Sequence, residues 1–269
     1  MERRYKSLIL TDEWETICRA REDGLHVVPC LPLKTLKTSE SDQIQGEQSA
    51  GLCKPNEEEK QNASNMDMTT DLSRFPYVLE DADHVEESYL DMIDARLCGY
   101  PLEILRTDRT IVREICEADV DGLYEIYRDP EITRYMENLY EDKNEELSYT
   151  RDYIKWHYGL YGFGMWIITD HEGRLLGRAG FEQKEDADYP ELGFMIRKQE
   201  QGKGLAHEVC SAILTYAHDR FEWKGVRSRC HPENEASIRL LNKLGFQRED
   251  EPADEEGYDS YLMEFCPCI

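Results

Sequence analysis

Apolar residues recur at strand-like or helical spacing through most of this 269-residue chain, with one long polar interruption. Residues 7–11 form a short apolar run, residues 13–23 place Trp14, Ile17, Cys18 and Ala20 at helical spacing, and Gly24 precedes the apolar run 26–31. Strand, helix and strand in this order predict a βαβ unit, with Asp12 as a strand-end helix cap. Residues 34–74 are rich in Ser, Thr, Gln, Asn, Glu and Lys and lack periodic apolar positions. They bury too little surface to offset ordering entropy, so a flexible insertion is expected there. Residues 75–79 resume a strand, and Val85, Tyr89, Met92, Ile93 and Leu97 mark a helix stopped by Gly99 and Pro101. A fragment of three parallel strands leaves sheet edges that need cover, so it is expected to dock on the rest of the chain or on a second copy in a homodimer.

The second half is denser in elements. Residues 102–105 and 110–115 read as strands, Asp119 caps a helix to about residue 127, Asp129-Pro130 breaks it, and residues 146–158 form another helix. Residues 165–169 and 175–182 are strands joined by Asp170-His171-Glu172-Gly173-Arg174, a hairpin turn by composition, and 191–197 is the next strand. Leu205, Val209, Ala212, Ile213, Tyr216 and Ala217 make one apolar helical stripe. Residues 226–230 follow as a strand, 234–244 as a helix ended by Gly245, and 246–248 with 260–265 close the sheet.

Composition allows ordinary cores, with 40% hydrophobic residues in a length suited to two domains. Charge narrows the partners: 57 acidic against 32 basic residues give −25, which repels nucleic acid and anionic membrane surfaces. A cationic partner and mere solubility explain this acidity equally well. No N-terminal apolar run resembles a signal peptide and no stretch is long enough to span a bilayer, so a cytoplasmic location is expected. The nine cysteines show no CxxC spacing and are expected to be reduced thiols, with no metal site. Cys266-Pro267-Cys268-Ile269 lacks the aliphatic pair of a prenylation box.

Candidate chemistry centres on Gln201-Gly202-Lys203-Gly204-Leu205-Ala206, between the strand at 191–197 and the apolar helix. Two glycines let the backbone turn tightly, and the helix behind them aims its positive end at the same point, which makes an anion site. Arg197, Lys198 and Lys203 make this neighbourhood locally basic inside an acidic chain. The run is neither GxxxxGK[ST] nor a full GxGxxG, which excludes those two phosphate readers.

About thirty residues on lies Asn234-Glu235-Ala236-Ser237, leading to Lys243-Leu244-Gly245-Phe246. In this order and separation the two segments resemble the acetyl-CoA-binding core of the GCN5-related N-acetyltransferases (GNAT). The ending is most similar to the ribosomal-protein N-terminal acetyltransferase branch. The resemblance covers roughly residue 109 to the C-terminus. It implies an α+β fold, a mixed sheet flanked by helices over residues 102–269, preceded by the small partial α/β domain of residues 1–101. Those first residues loosely resemble the later half of a haloacid-dehalogenase-type phosphatase, without its nucleophile motif, so no phosphatase activity is expected.

The resemblance further implies transfer of acetyl from acetyl-CoA to a primary amine, on a protein N-terminus or a small molecule, by direct attack in a ternary complex. Backbone N–H groups from Gly202 to Ala206 and Gln201 would hold the diphosphate, and the backbone of Met195 and Ile196 the pantetheine arm. An amine with a pKa of about 10 is mostly ammonium at neutral pH, so a base must take a proton. Glu191, at the strand start where the family often places its carboxylate, is the first candidate, ahead of Glu182 and His231. The leaving thiolate benefits from a donor, which many members supply as a tyrosine; here Leu241 stands at that place, and Ser237 or a water held by Asn234 substitutes. Tyr135, Tyr140 and Tyr149 fall where the family builds its acceptor wall. The departure at Leu241 leaves open a rival reading, an acyl-CoA-binding regulatory module without catalysis.

Overall fold

The structure, a computed structural model, describes residues 2–34, 72–80, 83–184, 187–250 and 252–265. The insertion expected over residues 34–74 and the cysteines of the last four residues fall largely or wholly outside them. The chain divides into two compact units, Met1–Asp94 and Ala95–Ile269, the division falling ahead of the boundary expected at residue 101.

In the first unit β1 (Glu2–Tyr5) turns through Lys6, at φ 49°, into the antiparallel β2 (Leu8–Glu13). Helix α1 (Trp14–Glu22) then returns the chain to β3 (His26–Lys34), parallel to β2. Ile9, Ile17, Ala20, Val27 and Phe75 make its core. Three expectations are corrected here. The sheet is not three parallel strands: β1 has no apolar alternation, so only backbone pairing reveals it. Residues 75–79 contribute a single bridge, Leu79 to Cys30, because Pro76 has no N–H to give a ladder. The cap residue of α1 is Glu13 rather than Asp12, and Thr11 Oγ1 accepts the Glu13 N–H at 3.2 Å. Helix α2 (Glu87–Leu97) holds this unit through Asp91, which accepts from the Tyr5 hydroxyl at 2.6 Å, and Asp94, which accepts from the Ser7 N–H at 3.1 Å.

The second unit is an eight-stranded mixed sheet. In chain order its strands are β4 (Glu103–Arg106), β5 (Ile111–Arg113), β6 (Met165–Thr169), β7 (Leu175–Glu182), β8 (Glu191–Ile196), β9 (Gly225–Cys230), β10 (Gln247–Arg248) and β11 (Asp259–Glu264). In space the order is β10-β11-β9-β8-β7-β6-β5-β4, antiparallel everywhere except at β8–β9. The helices are α3 (Val120–Tyr127), α4 (Lys143–Asp152), α5 (Tyr158–Tyr161), α6 (Leu205–Arg220) and α7 (Glu235–Leu244). A π turn, Tyr153–His157, joins α4 to α5 where one continuous helix from 146 to 158 was expected. Asp142 caps α4, accepting from the Asn144 N–H at 2.7 Å. Asp119, expected as a side-chain cap of α3, instead accepts from the Cys116 N–H at 2.8 Å and pairs with Arg113 at 2.6 Å.

Helix α6 buries the predicted stripe, with Leu205, Val209, Ile213 and Ala217 inside, and Tyr216 meets Trp166 edge-on. Trp166, Phe181 and Tyr158 are the largest fully buried side chains, and burying each is worth roughly 1.5–3 kcal/mol. Arg96 and Glu114 form a buried ion pair at 2.6 Å, and Arg96 Nη1 also donates to the Tyr158 carbonyl at 2.9 Å. Among the described residues no helix is long and apolar enough to cross a membrane.

Strand β7 sits at the middle of this sheet because glycine lets its neighbours close in: a Cβ at Gly177 would stand 2.0 Å from the Met195 carbonyl oxygen on β8. Gly177→Ala must therefore push β8 away. We expect it to destabilise the protein by about 2 kcal/mol or more, as a lowered denaturant midpoint.

Candidate active site

Strands β8 and β9 run parallel but share one register pair, Glu191 with Arg227, where the Arg227 N–H donates to the Pro190 carbonyl at 2.9 Å. The next carbonyl, Leu192, is taken by the hydroxyl of buried Ser228 at 2.9 Å instead of a backbone N–H. Beyond it the strands part. The register of β8 against β7, with Arg197 N–H on the Leu176 carbonyl at 2.8 Å, turns the main-chain groups of Gly193 and Met195 toward β7. Phe194 and Ile196 thus face the opening, and the Gln201 side chain already donates to the Ile196 carbonyl at 2.9 Å. The edge expected at Met195 and Ile196 is offered by Phe194 and Ile196, and period-two alternation is the reason.

At the end of this opening lies the glycine turn. Gly202 and Gly204 adopt φ 74° and 80°, and Gly204 is the cap residue of α6, so the helix N-terminus with the N–H groups of Gly202–Ala206 points into the cleft. The expected local excess of positive charge is not what the side chains make. Lys203 pairs with Glu200 at 2.8 Å, Arg174 pairs with Glu200 at 3.0 Å, Lys198 pairs with Glu131, and Arg197 donates to the Leu175 carbonyl at 3.1 Å. Attraction for an anion at this turn therefore comes chiefly from backbone dipoles. Arg109, which sequence reading missed as a site residue, clamps the turn: its guanidinium donates to the Lys203 carbonyl at 2.9 Å and to Glu208 of α6 at 2.6 Å. Its distance along the chain left no local signal.

Glu191 stands at the mouth of the split with both oxygens engaged, Oε2 by Lys184 at 2.7 Å and Oε1 by Arg229 at 3.4 Å. Arg229 also holds Asp254 at 2.5 Å and lies over the Tyr258 ring. Glu182 is directly opposite Glu191 on β7 and exposed. His231, just past β9, stacks on Tyr135 with ring centroids 4.9 Å apart and meets Tyr258 edge-on. The connection between α3 and α4 therefore reaches the end of β9. Tyr140 and Tyr149 are half-exposed and tilted against each other at 5.8 Å.

Other tyrosines are structural. The Tyr158 hydroxyl donates to the Met165 carbonyl at 2.7 Å, and Tyr153 Oη accepts the Met165 N–H at 2.7 Å; burial pushes both phenols up from their ordinary range. On α7, Asn234 caps the helix by accepting from the Ser237 N–H at 3.2 Å, which brings the two predicted residues together at one end of the cleft-side helix. Leu241 is fully buried in the main core.

A family model described as an acetyltransferase (GNAT) domain matches residues 109–247, about half of the chain. An uncharacterized N-acetyltransferase p20 of Bacillus licheniformis is 29% identical over 168 residues, covering 61% of this chain and 93% of that protein. A [ribosomal protein uS5]-alanine N-acetyltransferase of Escherichia coli is 26% identical over 158 residues, 54% of this chain and 78% of its own length. In fold, the chain is similar to an acetyl transferase from Salmonella typhimurium described as modifying the N-terminal serine of ribosomal protein L7/L12, with a TM-score of 0.54 at 17% identity, over 61% of this chain and all of that one. With the split sheet, the glycine turn and the match over residues 109–247, the chain belongs to the GNAT family of acetyltransferases.

Proposed function

We propose that the chain binds acetyl-CoA in the gap between β8 and β9 and transfers its acetyl group directly to a primary amine. The observation that carries this reading is the alignment of three features: the open edge of Phe194 and Ile196, the turn of Gly202–Ala206 at its end, and the N-terminus of α6 behind that turn. The diphosphate would be held by the turn's N–H groups, Gln201 would brace the turn, and the pantetheine amides would pair with the unmatched edge of β8. Arg197 and Lys203, already satisfied within the protein, contribute less than backbone.

In the ternary complex the amine nitrogen attacks the thioester carbon, the C–S bond breaks, and CoA leaves as thiolate. The proton lost by nitrogen goes to Glu191, directly or through water, and the thiolate is met by the Ser237 hydroxyl or a water at Asn234. Burial pushes the thiols of Cys230 and Cys210 up to about 11 and about 12, which fits direct attack better than transfer through either of these two side chains. The acceptor class that the uS5-alanine relative suggests is a protein N-terminus, with small amines as the second class.

Glu191→Gln is expected to keep CoA affinity and lose about 10²–10⁴-fold in kcat. Turnover equal to that of the parent would remove Glu191 as the base. Gly204→Glu places an anionic side chain at a φ of 80° on the diphosphate position and is expected to abolish CoA binding by calorimetry. Arg109→Ala should raise the CoA Kd about ten-fold while the unfolding midpoint stays close to the parent's, because it frees the turn without opening the core.

A further inference from the structure

Arg178 lies on β7 between Ile167 of β6 and Met195 of β8, so by register its side chain shares a sheet face with Glu182 and Glu191. The pair between them on that face is Gly180 opposite Gly193; neither carries a side chain, and Met165 of β6 fills the space beside them, its sulfur 3.3 Å from where a Cβ of Gly193 would stand. Tyr127, in the last turn of helix α3, reaches Arg178. Tyr153, whose hydroxyl accepts the Met165 N–H of β6 at 2.7 Å, and Tyr149, tilted against it with ring centroids 5.9 Å apart, put an aromatic wall beside the same strands.

This guanidinium is not paired. Its Nε is occluded without a partner, and its one hydrogen bond, from Nη1 to the Tyr127 hydroxyl, is long at 3.5 Å. Among the described residues no carboxylate reaches it. Arg96 shows what a structural arginine looks like in the same unit: Nε and Nη2 donate to Glu114 and Nη1 to the Tyr158 carbonyl. On the sheet around it, Arg113, Arg227 and Arg229 each hold an acid. A poorly satisfied, largely enclosed guanidinium is costly, and a carboxylate accepting two parallel N–H bonds is the chemistry that offsets the cost.

We propose that Arg178 is the anion-recognising residue of the acceptor site, and that the preferred amine acceptor carries a carboxylate. The inference rests on the acetyltransfer reading above. Strand rise puts Arg178 about 7 Å from Gly180 and about 13 Å from the level of Glu182 and Glu191, less the reach of the two side chains. An acceptor of amino-acid or dipeptide size spans that gap with its amine at Glu191. The diphosphate of the co-substrate lies instead at the turn after β8, and its pantetheine arm has no charge to offer Arg178. The carboxylate is either that of a free amino acid or an acidic side chain near a peptide N-terminus.

The test measures acetyl-CoA turnover by the full chain with the common amino acids, their amides and decarboxylated amines, and with dipeptide amides bearing Asp or Glu against Asn or Gln second. Parent protein, Arg178→Met and Arg178→Lys are compared. A second arm uses calorimetry to follow binding of the corresponding N-acetyl amino acids and N-acetyl dipeptide amides to the CoA complex, which needs no turnover. We expect the parent to favour carboxylate-bearing acceptors about ten- to hundred-fold. Arg178→Met should lose that preference mainly through KM, and Arg178→Lys should keep part of it, with CoA affinity and thermal midpoint unchanged. Free amino acids against peptides in the same panel name the source of the carboxylate. No preference in the parent, and no product binding that depends on Arg178, would overturn the proposal while CoA binding and acetyltransfer stand. An equal loss for every acceptor in Arg178→Met and Arg178→Lys would also overturn it and make Arg178 structural. Failure to bind CoA at all would instead strike the acetyltransfer reading.

Discussion

The second unit depends on one interrupted ladder. Two parallel strands that kept pairing from Glu191 and Arg227 onward would consume every main-chain group of β8 and close the sheet. The Ser228 hydroxyl takes the Leu192 carbonyl, and so satisfies the last buried acceptor at the point where the strands part. Unpaired backbone is expensive when buried, so such a gap persists only if its edge is wet or filled by a ligand that brings amides of its own.

Charge at the cleft is arranged differently from charge in the chain. Against an overall −25, Lys198, Lys203 and Arg109 near the glycine turn pair with Glu131, Glu200 and Glu208, while Arg197 is held by the Leu175 carbonyl. The turn is thereby stiffened, and the fixed dipoles of α6 are left as the main source of attraction. On the other face, Glu191 is held by Lys184 and Arg229, which fix the carboxylate in place at the mouth. Arg178 differs from these in having neither an acid nor a carbonyl among the described residues, and that contrast, more than its charge, singles it out.

Much of the fold was legible because periodicity reports burial. Strands β6 and β7 fall where the alternation put them, and the stripe on α6 is buried as its spacing required. What failed was where burial and pairing are decoupled. Strand β1 is charged and is made by backbone bonds alone, residues 75–79 are apolar but contain Pro76, and the π turn at Tyr153–His157 is an extra residue that a hydrophobic stripe does not record.

By itself the sequence determined the glycine turn and the helix behind it, since each depends on neighbours within a few residues: positive φ at glycine and a dipole at a helix start. Tertiary structure alone decided which main-chain groups face the cleft, that Arg109 grips the turn from far along the chain, that Leu241 points into the core, and that Arg178 has no acid beside it among the described residues. These are matters of register and of which distant side chains meet. A one-residue shift in pairing exchanges Met195 for Phe194 and Ile196 without altering any local pattern.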